Sequence, residues 1–238
     1  MTQFDFRYML EHGTYINSKG TTGKSKTIFR SPANLKKVVE VGIEAQKITK
    51  KSKILTVASM SHAAGLLAQT LPAFALGCEF KIQSFNPYSF FRDFQDYTHT
   101  SLIPAYMRAL MKTKNFNNCD LSGKWILVGS APVTWDIIEA FVSKGATVQA
   151  NWGMSEVGPV TINGVFDKST DIASYKNKST GTILGNQYYT EYNVEDGILW
   201  VKGDLVYREG WLCTGDLVVS NGGALYYMGR APSKNADT

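Results

Sequence analysis

Through the first two thirds of the chain, short β-branched or apolar runs alternate with stretches of helical periodicity, and this alternation narrows the fold sharply. Strands that alternate with helices pack as a largely parallel sheet with helices on both faces. A glycine-bearing turn over Gly20 to Gly23 leads into a strand from Thr27 to Arg30. Ser31-Pro32 then opens a helix to about Gln46, with Ser31 as N-cap and Pro32 at the first position, where its missing N–H is harmless. Ile54 to Ser59 reads as a buried strand, being short, apolar and bounded by lysines and serines. A helix from His62 to Leu76 stopped by Gly77, a strand at Phe80 to Gln83, a helix over Phe90 to Asp96 and a strand at Ser101 to Ile103 follow. Trp125 to Val128 (strand), Trp135 to Lys144 (helix, stopped by Gly145) and Thr147 to Ala150 (strand) complete the pattern.

Beyond about Gly181 the helices stop, and runs at Ile198 to Val201, Leu217 to Val219 and Leu225 to Met228 lie between glycine and aspartate turns. The predicted class is α/β. A largely parallel sheet covered by helices on both faces occupies residues 1–180, a small β-rich lobe 181–230 and a flexible tail 231–238. Ligands of such sheets sit at the carboxyl ends of strands, so the crevice is expected where those ends meet loops of the second part.

A chain of 238 residues with 44% hydrophobic and 12% aromatic content can bury a substantial core. No apolar run approaches the roughly 18 residues of a membrane span, and the N-terminus, with Asp5 and Glu11, lacks a signal-peptide core. A soluble, cytoplasmic protein without a membrane partner is expected. Cys78, Cys119 and Cys213 are too scattered for a disulfide framework or a zinc site and read as reduced thiols. Much of the +5 net charge comes from Lys36, Lys37, Lys47, Lys50, Lys51 and Lys53, which read as a solvated face. The other reading is a surface that draws a polyanion such as coenzyme A or ATP; no aromatic stacking pattern points to nucleic acid.

Three stretches carry chemistry. Ser18-Lys19-Gly20-Thr21-Thr22-Gly23-Lys24-Ser25-Lys26 joins glycines that admit a phosphate close to the backbone with hydroxyl donors and balancing lysines. A mobile polar turn and a Walker-type loop ending Gly23-Lys24-Ser25 are its competing readings, although a Walker loop wants a helix directly after Lys-Ser and a β-branched run follows here. Asn151-Trp152-Gly153-Met154-Ser155-Glu156 sets an aromatic plane, a hydroxyl and a carboxylate at a strand exit. These suit a base, a phosphate and Mg2+, while Trp152 as a core anchor and Glu156 as a solvated acid are the plain alternatives. Gly210-Trp211-Leu212-Cys213-Thr214-Gly215-Asp216-Leu217 places Asp216 at a turn, either to receive a ribose diol or as an ordinary turn aspartate.

In order and spacing these stretches resemble the AMP-binding core of the adenylate-forming superfamily, which includes acyl-CoA synthetases, luciferases and peptide-synthetase adenylation domains. The resemblance spans Tyr15 to Arg230. Ser18 to Lys26 is similar to the family's Ser/Thr-Ser/Gly-Gly-Ser/Thr-Thr-Gly-x-Pro-Lys loop, Trp152 to Glu156 to its aromatic-Gly-x-Thr-Glu motif, and Gly210 to Leu217 to its Gly-Trp-x-x-Thr-Gly-Asp-Leu motif. Ser59 to Gly65 resembles Pro-Leu-Phe-His-x-x-Gly, Gly129-Ser130-Ala131-Pro132 resembles Gly-Gly-Ala-Pro, and Gly229-Arg230 matches the hinge Gly-Arg.

The resemblance implies a ligase that joins a carboxylic acid to AMP, releasing pyrophosphate, with ATP and Mg2+ as cofactors. It assigns the departing phosphates to Ser18, Gly20, Thr21, Thr22, Gly23 and Lys26, the α-phosphate to Ser155 and the metal to Glu156. Adenine would lie by Gly129, Ser130, Ala131 and Trp152, the ribose by Asp216 and Arg230, and the acid by His62, Gly65 and the Gly153-Met154 backbone, with Asn151 and Gly153 also counted as cofactor-binding. Ile103, Tyr106 and Met154 lean towards an aryl or aliphatic acid. The sequence departs from the pattern at Lys19, Ser25, Ser155 and Ser233. It stops eight residues after Arg230, so the resemblance implies that the C-terminal domain with its catalytic lysine and much of the coenzyme A site is absent, Lys234 being the nearest stand-in. Adenylation without the thioester step is then the expectation, with a separate C-terminal-domain or acyl-carrier partner, or a second copy of the chain, as companions. A non-catalytic module that binds ATP, AMP or an acyl-adenylate and a P-loop NTPase are the alternatives.

Overall fold

The computed structural model describes residues 4–19, 25–178 and 181–232. Its strands are β1 (Thr14–Lys19), β2 (Ser25–Arg30), β3 (Lys53–Thr56), β4 (Glu79–Ile82), β5 (His99–Leu102), β6 (Trp125–Val128), β7 (Thr147–Met154), β8 (Gly158–Phe166), β9 (Thr182–Gly185), β10 (Gln187–Tyr188), β11 (Glu191–Glu195), β12 (Ile198–Lys202), β13 (Leu212–Asn221) and β14 (Ala224–Arg230). They form three sheets. β1 and β2 make an antiparallel hairpin, the order β10-β8-β7-β6-β5-β3-β4 makes a seven-stranded sheet, and β11-β12-β13-β14-β9 makes a five-stranded one. In the seven-stranded sheet β4, β3, β5, β6 and β7 run parallel, as predicted, and β8 and β10 add antiparallel strands at one edge.

Neighbouring residues of one strand enter different cores, which shows both sheet faces covered. Leu55 packs with Phe90, Phe94, Met107 and Phe141, whereas Ile54 packs with Ile48 and Ala73. Helices Phe90–Phe94, Pro104–Met111 and Trp135–Ser143 supply the first core; Pro32–Ala45 and Leu71–Leu76 supply a third, which also receives Leu199, Val201 and Val218 of the five-stranded sheet. Among the described residues no helix is long and apolar enough to cross a membrane. All three cysteines are free.

Local chemistry explains where the elements begin and bend. Ser31 Oγ accepts the Asn34 N–H at 3.2 Å and caps the helix that starts at Pro32. The predicted His62 to Leu76 helix is built in pieces, with a π-turn at Leu66–Thr70 between Ala63–Gly65 and Leu71–Leu76. Pro72 has no N–H to give to the preceding turn, and side chains fill in: Gln46 Nε2 donates to Ala68 O at 2.8 Å and Thr70 Oγ1 to Gly65 O at 2.7 Å. β3 ends at Thr56 rather than Ser59, because its partners β4 and β5 pair only that far. Helices Pro104–Met111 and Lys114–Asn118 and strand β8 lie outside the pattern read from the sequence. The β8 residues GPVTINGVF are nearly all buried, and Val160, Thr161, Ile162, Val165 and Phe166 are of the types that suit a strand.

His99 on β5 is buried, with Nε2 donating to Gln46 O at 3.0 Å and Nδ1 lying 2.7 Å from Thr98 Oγ1. Burial pushes its pKa below the ordinary imidazole value despite the bond to Gln46 O. The unfolded chain takes up this proton near pH ~6.5, the folded chain only at lower pH, so stability falls as pH drops through that value. The urea midpoint is expected to fall between pH 7.5 and 5.5, and His99→Gln to shrink that fall; an equal drop in both proteins would contradict it.

Candidate active site

Because β3, β5, β6 and β7 are parallel, the loops leaving their carboxyl ends line one edge of the sheet. The segment after β3 carries His62 and, in the helical piece that follows it, Gly65, and the turn after β6 carries Gly129, Ser130 and Ala131. β7 continues through Asn151, Trp152, Gly153 and Met154 into the turn that holds Ser155 and Glu156, both half-buried. A side chain at Gly129 would collide with the amide and carbonyl of Asn151, so the two loops close on each other only because position 129 has no Cβ. Ser130 stands in the left-handed region at φ 65. Asn151 Oδ1 accepts the Val160 N–H at 2.6 Å and so holds a β-branched residue at φ 63.

The second and third motifs meet at a buried carboxylate. Trp152, 7% exposed, donates its Nε1–H to Asp216 Oδ2 at 2.8 Å. Arg230, opposite Asp216 in the β13–β14 register, donates from Nη1 to Asp216 Oδ1 at 2.7 Å and to Thr214 O at 2.7 Å. Thr214 Oγ1 accepts the Asp216 N–H and donates to Leu199 O. Each carboxylate oxygen therefore has one protein donor and keeps lone-pair capacity for another. Trp152 also packs in the core with Val157, Leu199 and Val201, so its indole is a structural anchor as well as a site residue.

Gly20, Thr21, Thr22 and Gly23 of the first motif lie outside the described residues, as do Ser233 and Lys234. The strands that deliver the loop are β1 and β2, with Ser18 opposite Lys26, and Lys26 is exposed. The Walker reading fails here: a strand begins at Ser25, and the next helix begins only at Pro32. His62 is exposed and its carbonyl accepts the Gly65 and Leu66 N–H groups, while Gly65 packs against the Ser59 backbone. Met154 and Tyr106 are partly buried and pack against different cores.

The turn at Ser155 and Glu156 is held from two sides. Val157 N–H donates to Met154 O and Tyr207 N–H to Glu156 O. From β2, Arg30 donates through Nη1 to Ser155 O at 3.2 Å and through Nη2 to Val157 O at 3.2 Å and Leu205 O at 3.1 Å. Arg30 is 0% exposed, and burial pulls its pKa down to about 10 against the opposing attraction of Glu156. The sequence reading passed over it. Its signal is register: Ile28 and Arg30 share the inward face of β2 while Thr27 and Phe29 are exposed. Among the described residues no group of three or more His, Cys, Asp or Glu is placed to hold a metal.

The structure is thus an α/β core whose mostly parallel sheet is joined to a second, antiparallel sheet by the bonds of Trp152 and Arg230 to the buried carboxylate of Asp216. The chain belongs to the AMP-binding enzyme family, whose model matches residues 18–215. It is 28% identical over 245 residues to Probable CoA ligase CCL5 of Humulus lupulus, covering 86% of this chain and 42% of that protein. It is 25% identical over 240 residues to Peroxisomal OPC-8:0-CoA ligase 1 of Arabidopsis thaliana, covering 86% and 43%. The chain thus spans about two fifths of the length of these curated relatives. Its fold is similar to the inhibitor-bound N-terminal domain of FACL13 from Mycobacterium tuberculosis, with TM-score 0.77, 16% identity, and 91% and 60% of the two chains covered. ATP-bound MatB from Rhodopseudomonas palustris aligns with TM-score 0.74 and 18% identity over 91% of this chain and 47% of that one.

Removing the indole donor leaves Asp216 Oδ2 short of a partner inside the fold. Trp152→Phe is expected to cost about 1–3 kcal/mol in urea unfolding. Trp211→Phe, at a position 41% exposed, should stay within about 0.5 kcal/mol. Equal effects at the two sites would show that the Trp152–Asp216 bond contributes nothing specific.

Proposed function

We propose that the chain activates a carboxylic acid with ATP and Mg2+, forming an acyl-adenylate and pyrophosphate. The observation that carries this reading is the Trp152–Asp216–Arg230 cluster, three residues along the chain from the turn that presents Ser155 and Glu156. An acid oxygen bonds to the α-phosphorus while the bond to pyrophosphate breaks. Two anions have to meet, so the protein's share is neutralisation and alignment.

Asp216 accepts the ribose hydroxyls with the lone pairs that Trp152 and Arg230 leave free, and Arg230 holds the carboxylate in that orientation. Ser155 donates to the α-phosphate. Gly129, Ser130 and Ala131, with Asn151, Trp152 and Gly153 behind them, border adenine. Lys26 and the loop from Ser18 to Gly23 hold the departing phosphates, and His62, Gly65 and Met154 border the acid. Glu156 suits Mg2+, which binds through one or two carboxylates and takes most of its ligands from phosphate and water. When bound, that ion neutralises phosphate charge. Coenzyme A as the final acceptor is suggested by the names of the curated relatives, both CoA ligases.

Acid-dependent exchange of labelled pyrophosphate into ATP tests the reaction, because exchange requires the chemical step. ATP binding without exchange for any acid in a broad panel would reduce the chain to a nucleotide-binding module. Asp216→Ala is expected to weaken ATP binding in calorimetry by roughly 10- to 100-fold for each charged hydrogen bond lost, with the far-ultraviolet dichroism unchanged. Undiminished affinity would remove the ribose assignment.

A further inference from the structure

We propose that Arg30 is a positioning residue that ties the phosphate hairpin to the turn carrying Ser155 and Glu156, so that the two sides of the phosphate and metal site are held as one body. This deepens the reading of the site given above and rests on it for its catalytic consequence.

Stability alone gives little reason for an arginine here. The side chain is wholly buried, its Nε has no partner, and its bonds go to neutral carbonyls at 3.1 to 3.2 Å. An apolar residue on this face, like Ile28 two positions earlier, avoids the desolvation of a charge. What an apolar residue lacks is direction. A planar guanidinium donates along fixed lines, and this one reaches two separate segments from a third: the 155–157 turn and the loop at Leu205, from the base of β2. The contacts close a ring, since the same loop returns to the turn through the Tyr207 N–H to Glu156 O bond.

The surroundings are shaped for that side chain. Gly158, at φ 108, would place a Cβ 2.9 Å from Arg30 Nη2, so the glycine leaves room for the guanidinium. Lys26 stands four residues before Arg30 on the same strand, at the end of the hairpin next to the phosphate loop. The cation also lies close enough to Glu156 for the two opposite charges to attract. Position of the hairpin and position of the metal carboxylate are thereby set by one side chain.

The test varies Mg2+, ATP and acid separately in pyrophosphate exchange by the full chain. Arg30→Met is expected to raise the Mg2+ needed for half-saturation and the KM for ATP about tenfold, with the acid KM changed less than about twofold. Arg30→Lys, which keeps the charge without the fork, should recover part of the loss. A fall in kcat alone, with all half-saturation values unchanged, would overturn the proposal, because loss of folded protein does exactly that much and no more.

A second measurement needs no turnover. In the unliganded protein the amides of Val157, Val206 and Tyr207 are expected to exchange hydrogen about tenfold faster in Arg30→Met, while those of Leu127 and Val148 keep their rates. Unchanged rates in the turn, or uniform acceleration through the core, would sink the clamp. If the wild-type chain shows neither ATP binding nor exchange, the reading of the site fails, and the amide rates still decide whether Arg30 fixes the turn.

Discussion

A carboxylate withdrawn from water keeps its charge only where donors surround it, and Asp216 is where that requirement joins two sheets. One donor, Trp152, comes from the end of a parallel strand; the other, Arg230, comes from the strand beside Asp216 in the antiparallel sheet. Neither sheet supplies both. The two sheets are therefore tied together directly at Asp216, rather than at a distance through packing. Leu199, Val201 and Val218 share a core with Trp152 and bring the surfaces together, but apolar contact is non-directional and leaves the angle between sheets loosely set.

The edge of the parallel sheet contributes a second constraint. Four strands pointing the same way deliver four loops to one line, and those loops have to approach one another more closely than side chains normally permit. Gly129 against Asn151 is one such close approach, and Asn151 then spends its Oδ1 on holding Val160 in a left-handed conformation. Residues that the motif assigns to adenine thus also carry the backbone geometry of the strands behind them. A substitution at Asn151 acts on the site and on β8 together, and its effect on ligand binding cannot be separated from its effect on Val160.

Much of this was legible in the sequence. β6 falls at Trp125–Val128 as read, the Ser31-Pro32 helix start is capped as read, and the motifs around Trp152 and Asp216 converge. These readings rest on local signals: β-branched runs, capping chemistry, turn glycines. What was not legible depends on partners far away in the chain. The Trp152–Asp216 bond joins residues 64 apart, and nothing in an isolated Trp-Gly pair says whether the indole faces a base or a carboxylate. β8 carries glycine, proline and asparagine among its β-branched residues, and its strand is set by pairing with β7. Arg30 bonds to residues 125 to 175 positions away, and only its shared register with Ile28 hinted that it faces inward.

Arg30 and Asp216 are both charged, both buried, and both placed where distant segments meet. Two such groups in a small core weigh against stability, since desolvation of each has to be offset by bonds that are themselves of ordinary length. They weigh in favour of geometry. Hydrophobic packing brings β2, the β7–β8 turn, the 203–206 loop and the β13–β14 pair into contact without choosing their mutual angles, whereas a guanidinium and a carboxylate accept only a few. Departures from the expected apolar interior concentrate where a site demands fixed positions, and in this chain one bonds to the Ser155–Glu156 turn and the other to Trp152, three residues before it. The turn's precision is thus a consequence of charges the fold would be easier to build without.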